Sequence, residues 1–443
     1  MITKLRIKNL KCLQDTGDLD IRPLTFLVGP NSSGKSTLLQ MLLMLRQTVD
    51  STDIENPLVT NDGWVQMGAY PDFIFKGETR RWLEVGIEFE EINPTQSLET
   101  KYQRISISVV FGYNPETTQI QLEEREIRLG TEEHQRIVRD EETKEYQLIA
   151  EKKTSGSSGR LLLSGVRPNK FYDFAFTLRP GETRKDLPDL GQFGISIPFA
   201  QFIIKNEFQK LFYLGPLRES PQRFYVVSGQ APQDVGARGE RAADVLWFSH
   251  RSRKKGACDV EEKVENWFNQ FHIAKKVKLE KDTRESYFQI IITDPATGVE
   301  TNLADIGFGA SQTLPIIIES FYAPPGSAIL IEQPEIHLHP AAQSILGDLF
   351  IEAAIKQKDR RTFIIETHSE HILARVRRRI AEERLSKDQV AIYYFEPTSE
   401  GTRIQEVTLN EQGQYESFPD GFFEEDVMEA FEHLKALRLT AAQ

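Results

Sequence analysis

Only two cysteines, Cys12 and Cys258, occur in 443 residues. That is too few for a disulfide framework, and they lack zinc-type spacing, so a reduced, cytoplasmic setting is expected. No apolar stretch approaches the roughly 20 residues that cross a bilayer, which argues against a membrane protein. Met1-Ile2-Thr3-Lys4 leads directly into an alternating strand pattern, so no signal-peptide core is expected. Basic charge is not in excess either. The net charge of −12 argues against broad, non-specific DNA binding by the whole surface. Two basic clusters, Arg251-Ser252-Arg253-Lys254-Lys255 and Arg375-Val376-Arg377-Arg378-Arg379, leave two readings open, a local groove or a solvated face. No internal repeat is evident, and no heptad run is long enough for an extended coiled coil.

The pattern at the start of the chain reads as strands over Leu5 to Leu10, Leu19 to Ile21 and Leu24 to Val28. The third is nearly all apolar, fit for a buried central position. It runs into Gly29-Pro30-Asn31-Ser32-Ser33-Gly34-Lys35-Ser36, followed by Thr37 and an apolar helix expected over Ser36 to Gln47. Strand, glycine loop, helix is the context in which this match carries meaning. Gly29 and Gly34 permit backbone conformations that turn successive N–H groups inward, a concave anion site at a helix N-terminus. Lys35 supplies a point charge for the β- and γ-phosphates of ATP, and the Ser36 hydroxyl a ligand for magnesium.

From about Trp82 to Leu178 the pattern turns to period-two alternation, read as an antiparallel β insertion with an exposed flexible loop at Ser155-Gly156-Ser157-Ser158-Gly159. Residues Phe199 to Phe212 and Val260 to Phe271 have helical spacing. Alternation of helix and strand resumes at Thr313 to Tyr322 (helix), Ala328 to Ile331 (strand), Pro340 to Lys356 (helix) and Thr362 to Glu366 (strand). That order favours a parallel, doubly wound sheet. Two more strands, Val390 to Phe395 and Arg403 to Leu409, and a helix over Glu424 to Leu437 are expected to close the chain.

Three further elements carry chemistry. An apolar strand ends at Glu332-Gln333-Pro334-Glu335, and its first acid is expected beside the phosphate loop, holding magnesium. The next strand ends in Glu366-Thr367-His368-Ser369, where His368 is read as a γ-phosphate sensor against the plainer reading of a structural histidine. Asp305-Ile306-Gly307-Phe308-Gly309-Ala310-Ser311-Gln312 precedes a helix and is either a second anion-binding surface or a plain capping loop.

Together the four elements resemble the ABC-type ATPase head shared by the RecF, SMC and OLD families, in that family's order. Glu332-Gln333-Pro334-Glu335-Ile336-His337-Leu338-His339-Pro340 looks like the acid motif of OLD-like and RecF-like ATPases, and Ile365-Glu366-Thr367-His368-Ser369-Glu370-His371 like their switch segment. Tyr213-Leu214-Gly215-Pro216-Leu217-Arg218-Glu219 and Phe418-Pro419-Asp420-Gly421-Phe422-Phe423 narrow the resemblance to bacterial AAA-type ATPases with a short uncharacterised C-terminal domain, often encoded in antiphage defence loci. The implied fold is an α/β P-loop NTPase with an inserted antiparallel β region and a helical arm region. Its expected divisions are residues 1–80, 81–198, 199–300, 301–395 and 396–443.

The resemblance also implies a homodimer holding two ATP molecules, with Gly309, Ser311 and Gln312 meeting the γ-phosphate of the partner's ATP. It implies a Q-loop ligand for magnesium, for which Gln66 is the candidate and Asp72 a competitor. Where such ATPases usually carry a catalytic glutamate, this chain has Gln333, which positions water but accepts no proton. Glu335 or Glu366 then supplies the base, or hydrolysis is slow. A nuclease domain following the switch is not expected here, so any cutting or toxic activity is assigned to a separate effector protein. A RecF-like DNA-repair head, with DNA as partner, is the alternative.

Overall fold

The structure, a computed structural model, describes residues 1–90, 104–154, 157–176, 193, 196–227, 229–251, 260–283, 286–356 and 360–417. Three five-residue strands, Leu24–Val28, Ala328–Glu332 and Thr362–Glu366, are buried at every position. Such runs suit parallel strands covered on both faces. They sit in a six-stranded sheet ordered Leu211–Leu214, Ala328–Glu332, Thr362–Glu366, Leu24–Val28, Val390–Thr398, Gly401–Glu406. The first five strands are parallel and the last is antiparallel. Successive side chains feed two cores. Leu27, Leu330 and Ile364 enter one, while Phe26, Ile331 and Ile365 enter the other.

The first core lies under a ten-stranded antiparallel sheet. Ile2–Leu10 pairs with Leu13–Asp15 and Leu19–Asp20, and also with Leu83–Glu90. From Leu83–Glu90 the sheet grows by neighbouring strands to Phe174–Phe176. The β insertion read from the sequence is therefore continuous with the first strand of the chain, because Leu5 registers against Ile87. Its inward residues, Ile7, Val85, Ile107 and Ile127 among them, share a core with Leu38 and Leu42 of the helix Lys35–Asp50. The flexible loop expected at the serine-glycine stretch is corrected in part: Ser157 to Gly159 already pair with Lys152 to Thr154 as a hairpin strand. Residues 155–156 lie outside the described residues.

The arm region also departs from expectation. The helix expected over Phe199 to Phe212 spans Ser196–Gln209, and Leu211–Leu214 is the edge strand of the parallel sheet. The helices Ala242–Arg251 and Val260–Gln270 pack against a small antiparallel sheet of Tyr225–Val226, Lys276–Lys281, Tyr287–Thr293 and Glu300–Asn302. Among the described residues the longest helix is the 16-residue Lys35–Asp50, and none is long and apolar enough to cross a membrane. The helix expected over 424–437, the segment Phe418 to Phe423, and residues 252–255 of the first basic cluster lie outside the described residues.

One lysine ties the β region to the phosphate-loop helix. Lys170 is buried, and its Nζ donates to the carbonyls of Val49 (3.1 Å) and Ser51 (2.5 Å), at the C-terminal end of Lys35–Asp50. A cation there satisfies carbonyls that have no helical partner and complements the helix dipole. Lys170→Met is expected to lower stability by about 1–2 kcal/mol, read from the urea midpoint at constant m. An unchanged midpoint would show that the cap holds nothing.

Candidate nucleotide site

The site forms where the parallel strands end. Val28 gives way to Gly29 at φ 139°, where a Cβ would collide with the carbonyl oxygen of Phe395 on the neighbouring strand. Ser32 (φ 60°) and Gly34 (φ 98°) also take left-handed backbone, which curls the loop around its own N–H groups. Gly34 caps Lys35–Asp50 without any side-chain hydrogen bond, and no acid occupies the first turn. The first N–H groups of that helix thus keep their donors for an anion. Lys35 is 3% exposed, and its Nζ donates to the carbonyls of Gly29 (3.0 Å) and Pro30 (2.8 Å). Asn31 to Thr37 line a cavity of about 390 Å³ together with Lys11, Cys12, Gln40, Gln333 and Glu366.

The order of strands decides which carboxylate reaches the loop. Thr362–Glu366 lies directly beside Leu24–Val28, and Ala328–Glu332 is one strand further out. The expectation that the acid strand adjoins the phosphate loop is therefore corrected. Glu366 accepts a 2.7 Å hydrogen bond from the Ser36 hydroxyl and stands 4.0 Å from Lys35 Nζ. Glu332 registers beside Glu366, and its Oε1 accepts from the Tyr213 hydroxyl at 2.9 Å. Burial, and then the charge of Glu366, pushes Glu332 up to about 7. Burial also raises Glu366, against the opposing effects of Ser36 and Lys35. Burial lowers Lys35, and Glu366 and Glu335 oppose it. The Ser36 hydroxyl and the Glu366 carboxylate form an oxygen pair at the cavity that suits magnesium, while Glu332 stands beside Glu366 on the next strand and is not among the residues lining the cavity.

Gln333 takes left-handed backbone at φ 45°, unusual for a residue with a side chain. Its N–H donates to the Glu366 carbonyl at 2.8 Å, and the residue lines the cavity. Glu335, whose charge reaches Lys35, is held by the switch segment. Its Oε1 accepts from the His368 N–H (2.6 Å) and its Oε2 from the Thr367 hydroxyl (2.8 Å), tying the acid loop to the switch segment. His368 itself is exposed. Ser369 caps the helix Glu370–Ala381 by accepting from Ile372 N, and donates to Gln343 Oε1 at 2.7 Å.

The segment Asp305 to Gln312, the signature segment in ATPases of this resemblance, enters its helix earlier than expected. The helix begins at Phe308, capped by Gly307, and takes in Gly309, Ser311 and Gln312. Pro315, which would suit a first turn, lies in the interior of the helix instead. Ser311 and Gln312 are each 4% exposed, and Gln312 Oε1 accepts from Arg218 Nη1 at 3.4 Å. Gly309 lies against Leu338 of the acid loop.

Gln66 and Asp72 are not among the residues lining the cavity. The Gln66 amide donates to the Asp62 carbonyl at 2.8 Å, and Asp72 accepts from Ala69 N at 2.7 Å. The second basic cluster is internally paired. Arg375 and Arg379 bind Asp348, Arg378 and Arg379 pair with Glu382, and Arg377 lies 3.9 Å from the ring centroid of Tyr415. Arg378 keeps 64% of its side chain exposed, whereas Arg375 and Arg379 are largely covered.

Sequence reasoning missed Lys11, Cys12 and Gln40 in the cavity, and Tyr213 and Arg218 at the acid strand. The last two stood in a segment quoted only for its resemblance, and their partners are more than a hundred positions away.

The AAA ATPase domain family matches residues 1–173 and 249–373, and a family described as a protein of unknown function (DUF3696) matches residues 385–432. Among curated proteins, the OLD nuclease of Thermus scotoductus (strain ATCC 700910 / SA-01) is 32% identical over 92 residues, which are 20% of this chain and 15% of that protein. The chain thus matches under a sixth of that relative's length. Similar solved structures include an SMC head bound to the C-winged helix domain of ScpA, at 13% identity and TM-score 0.45, covering 93% of this chain and 98% of that one. The SMC head domain from Thermotoga maritima matches at 12% identity and TM-score 0.42, covering 92% and 99%.

The raised carboxyls give a pH test. A carboxyl whose folded pKa lies above its unfolded value stabilises the fold at low pH, and that stability is lost as pH rises through the folded value. Without magnesium, the melting temperature is expected to fall between about pH 4.5 and pH 8, driven by Glu332 together with the buried Glu319, raised to about 8. Glu332→Gln should remove on the order of 2–3 kcal/mol of that slope. An unchanged slope in the variant would mean Glu332 ionises normally.

Proposed function

The chain belongs to the AAA ATPase domain family, which matches two thirds of it, and on that premise we propose a slow, magnesium-dependent ATPase that pairs with a second copy around the nucleotide. The hydrogen bond between Ser36 and Glu366 carries the reading, because it joins the phosphate loop to a carboxylate at the sheet's C-terminal edge. In this reading the uncapped N–H groups of Lys35–Asp50 bind the phosphates, and Lys35 leaves the Gly29 and Pro30 carbonyls to bridge the terminal two. Ser36, Glu366 and Glu332 hold magnesium, which when bound neutralises charge developing on the phosphates.

Gln333, on its strained turn at the cavity wall, orients the attacking water through its amide without taking the proton. Of the two alternative bases, Glu335 is engaged by Thr367 and His368, and Glu366 by Ser36. Slow turnover follows from that occupancy. Glu335 acts as a positioning residue for His368, which takes the γ-phosphate-sensing role. Gly309 and the N-terminal turn at Gly307 present the partner-facing surface, while Ser311 and Gln312 support that turn from inside.

The finer reading assigns the ATP-bound pair, in a bacterial cytoplasm, to an antiphage system in which it controls a separate effector, a nuclease or toxin. Its support is the family resemblance of the segments Tyr213 to Glu219 and Phe418 to Phe423.

Phosphate release tests the biochemical half. Wild type is expected to turn over slowly, Lys35→Ala and Glu366→Gln to lose at least about 100-fold, and Gln333→Glu to gain. Full activity in Lys35→Ala would end the reading. For the regulatory half, co-purification with and without ATP should retain an effector protein only in the nucleotide-bound state. Identical bound proteins in both would contradict it.

A further inference from the structure

Arg218 is 7% exposed, an unusual place for a guanidinium. Its Nη2 donates to the Glu332 carbonyl at 3.1 Å and its Nη1 to Gln312 Oε1 at 3.4 Å. Five residues earlier, the Tyr213 hydroxyl donates to the Glu332 carboxylate. The connecting loop is pinned as well, by Gly215 N to the Ala237 carbonyl (2.8 Å) and Glu219 N to the Arg238 carbonyl (2.9 Å). Residues 213–219 therefore hold both the backbone and the side chain of Glu332, and through Arg218 they reach the first turns of the signature helix.

A buried guanidinium is a costly way to fill space, since an apolar side chain of similar volume often serves as well or better. What an arginine adds is a fork whose two arms fix two groups at one separation. Here the two groups are Gln312 of the signature helix and the carbonyl of Glu332. A shift of that helix, rigid through its own hydrogen bonds, would pull on the acid strand end through this fork.

We infer that Arg218 is a positioning residue that couples the signature helix to the magnesium-holding end of the acid strand. Docking of a partner's nucleotide at that helix is then felt at the same copy's own metal site. The inference rests on the ATPase reading above and deepens it.

The test measures magnesium dependence of nucleotide binding with a fluorescent ATP analogue, which needs no turnover, alongside kcat. In Arg218→Met the magnesium concentration for half-saturation is expected to rise about tenfold, with metal-free nucleotide affinity unchanged. Arg218→Lys should recover part of this. Gln312→Met should reproduce part of it, and the double variant should be no worse than Arg218→Met alone, the non-additivity of a shared contact. Strictly multiplying effects, or a wild-type magnesium requirement in folded Arg218→Met, would overturn the coupling. If Arg218→Met does not fold, Gln312→Met decides: a wild-type magnesium requirement overturns the inference and a raised one supports it. Wild-type protein that binds no nucleotide would instead overturn the ATPase reading itself.

Discussion

Ser36 and Glu366 are separated by 330 positions in the chain and joined by a 2.7 Å hydrogen bond. That contact exists because Glu366 registers against Leu27, one residue before the phosphate-loop strand ends. A slip of one residue in this parallel pairing would turn Glu366 to the opposite face of the sheet. The five buried residues of each strand resist such a slip, since every alternate side chain would then enter the wrong core. The hydrophobic patterning of the two cores thus fixes the chemistry at their rim.

The rim is built in tiers. The loop from Gly29 to Lys35 offers N–H groups and one cation. Glu366 faces it, with Glu332 in register on the next strand, and burial disfavours the charge of both carboxyls. Behind them, Tyr213 and Arg218 hold Glu332, and Glu335 holds the backbone of His368. Paired carboxyls with depressed acidity are a costly feature for stability alone, and such pairs cluster where a cation or proton is handled. On the far side, Lys170 anchors the C-terminal end of the phosphate-loop helix to the large antiparallel sheet, a cation complementing the helix dipole.

Much of this was legible in the sequence, and the exceptions have physical causes. Each motif was readable because it is contiguous: a buried strand, a glycine turn, a helix. The order of strands was not, because apolar periodicity marks a strand as central without naming its neighbours. Glu332 was accordingly expected beside the phosphate loop, where Glu366 stands. The edge strand Leu211–Leu214 was absorbed into a helix because apolar spacing continues across Gln209-Lys210 with no glycine or proline to mark the break. The helix that begins at Phe308 was expected only from Thr313, because Gly309, Ala310 and Ser311 are small enough to read as loop. Tyr213 and Arg218 were invisible as site residues because their partners, Glu332 and Gln312, lie 94 to 119 positions further along the chain.

A crystal structure grown with Mn2+ and a non-hydrolysable ATP analogue puts the account at greatest risk. The anomalous peak should lie beside the Ser36 hydroxyl, between it and the carboxylates of Glu366 and Glu332, with the triphosphate inside the loop from Gly29 to Ser36. A metal peak away from Ser36, or a nucleotide bound elsewhere on the molecule, would contradict it.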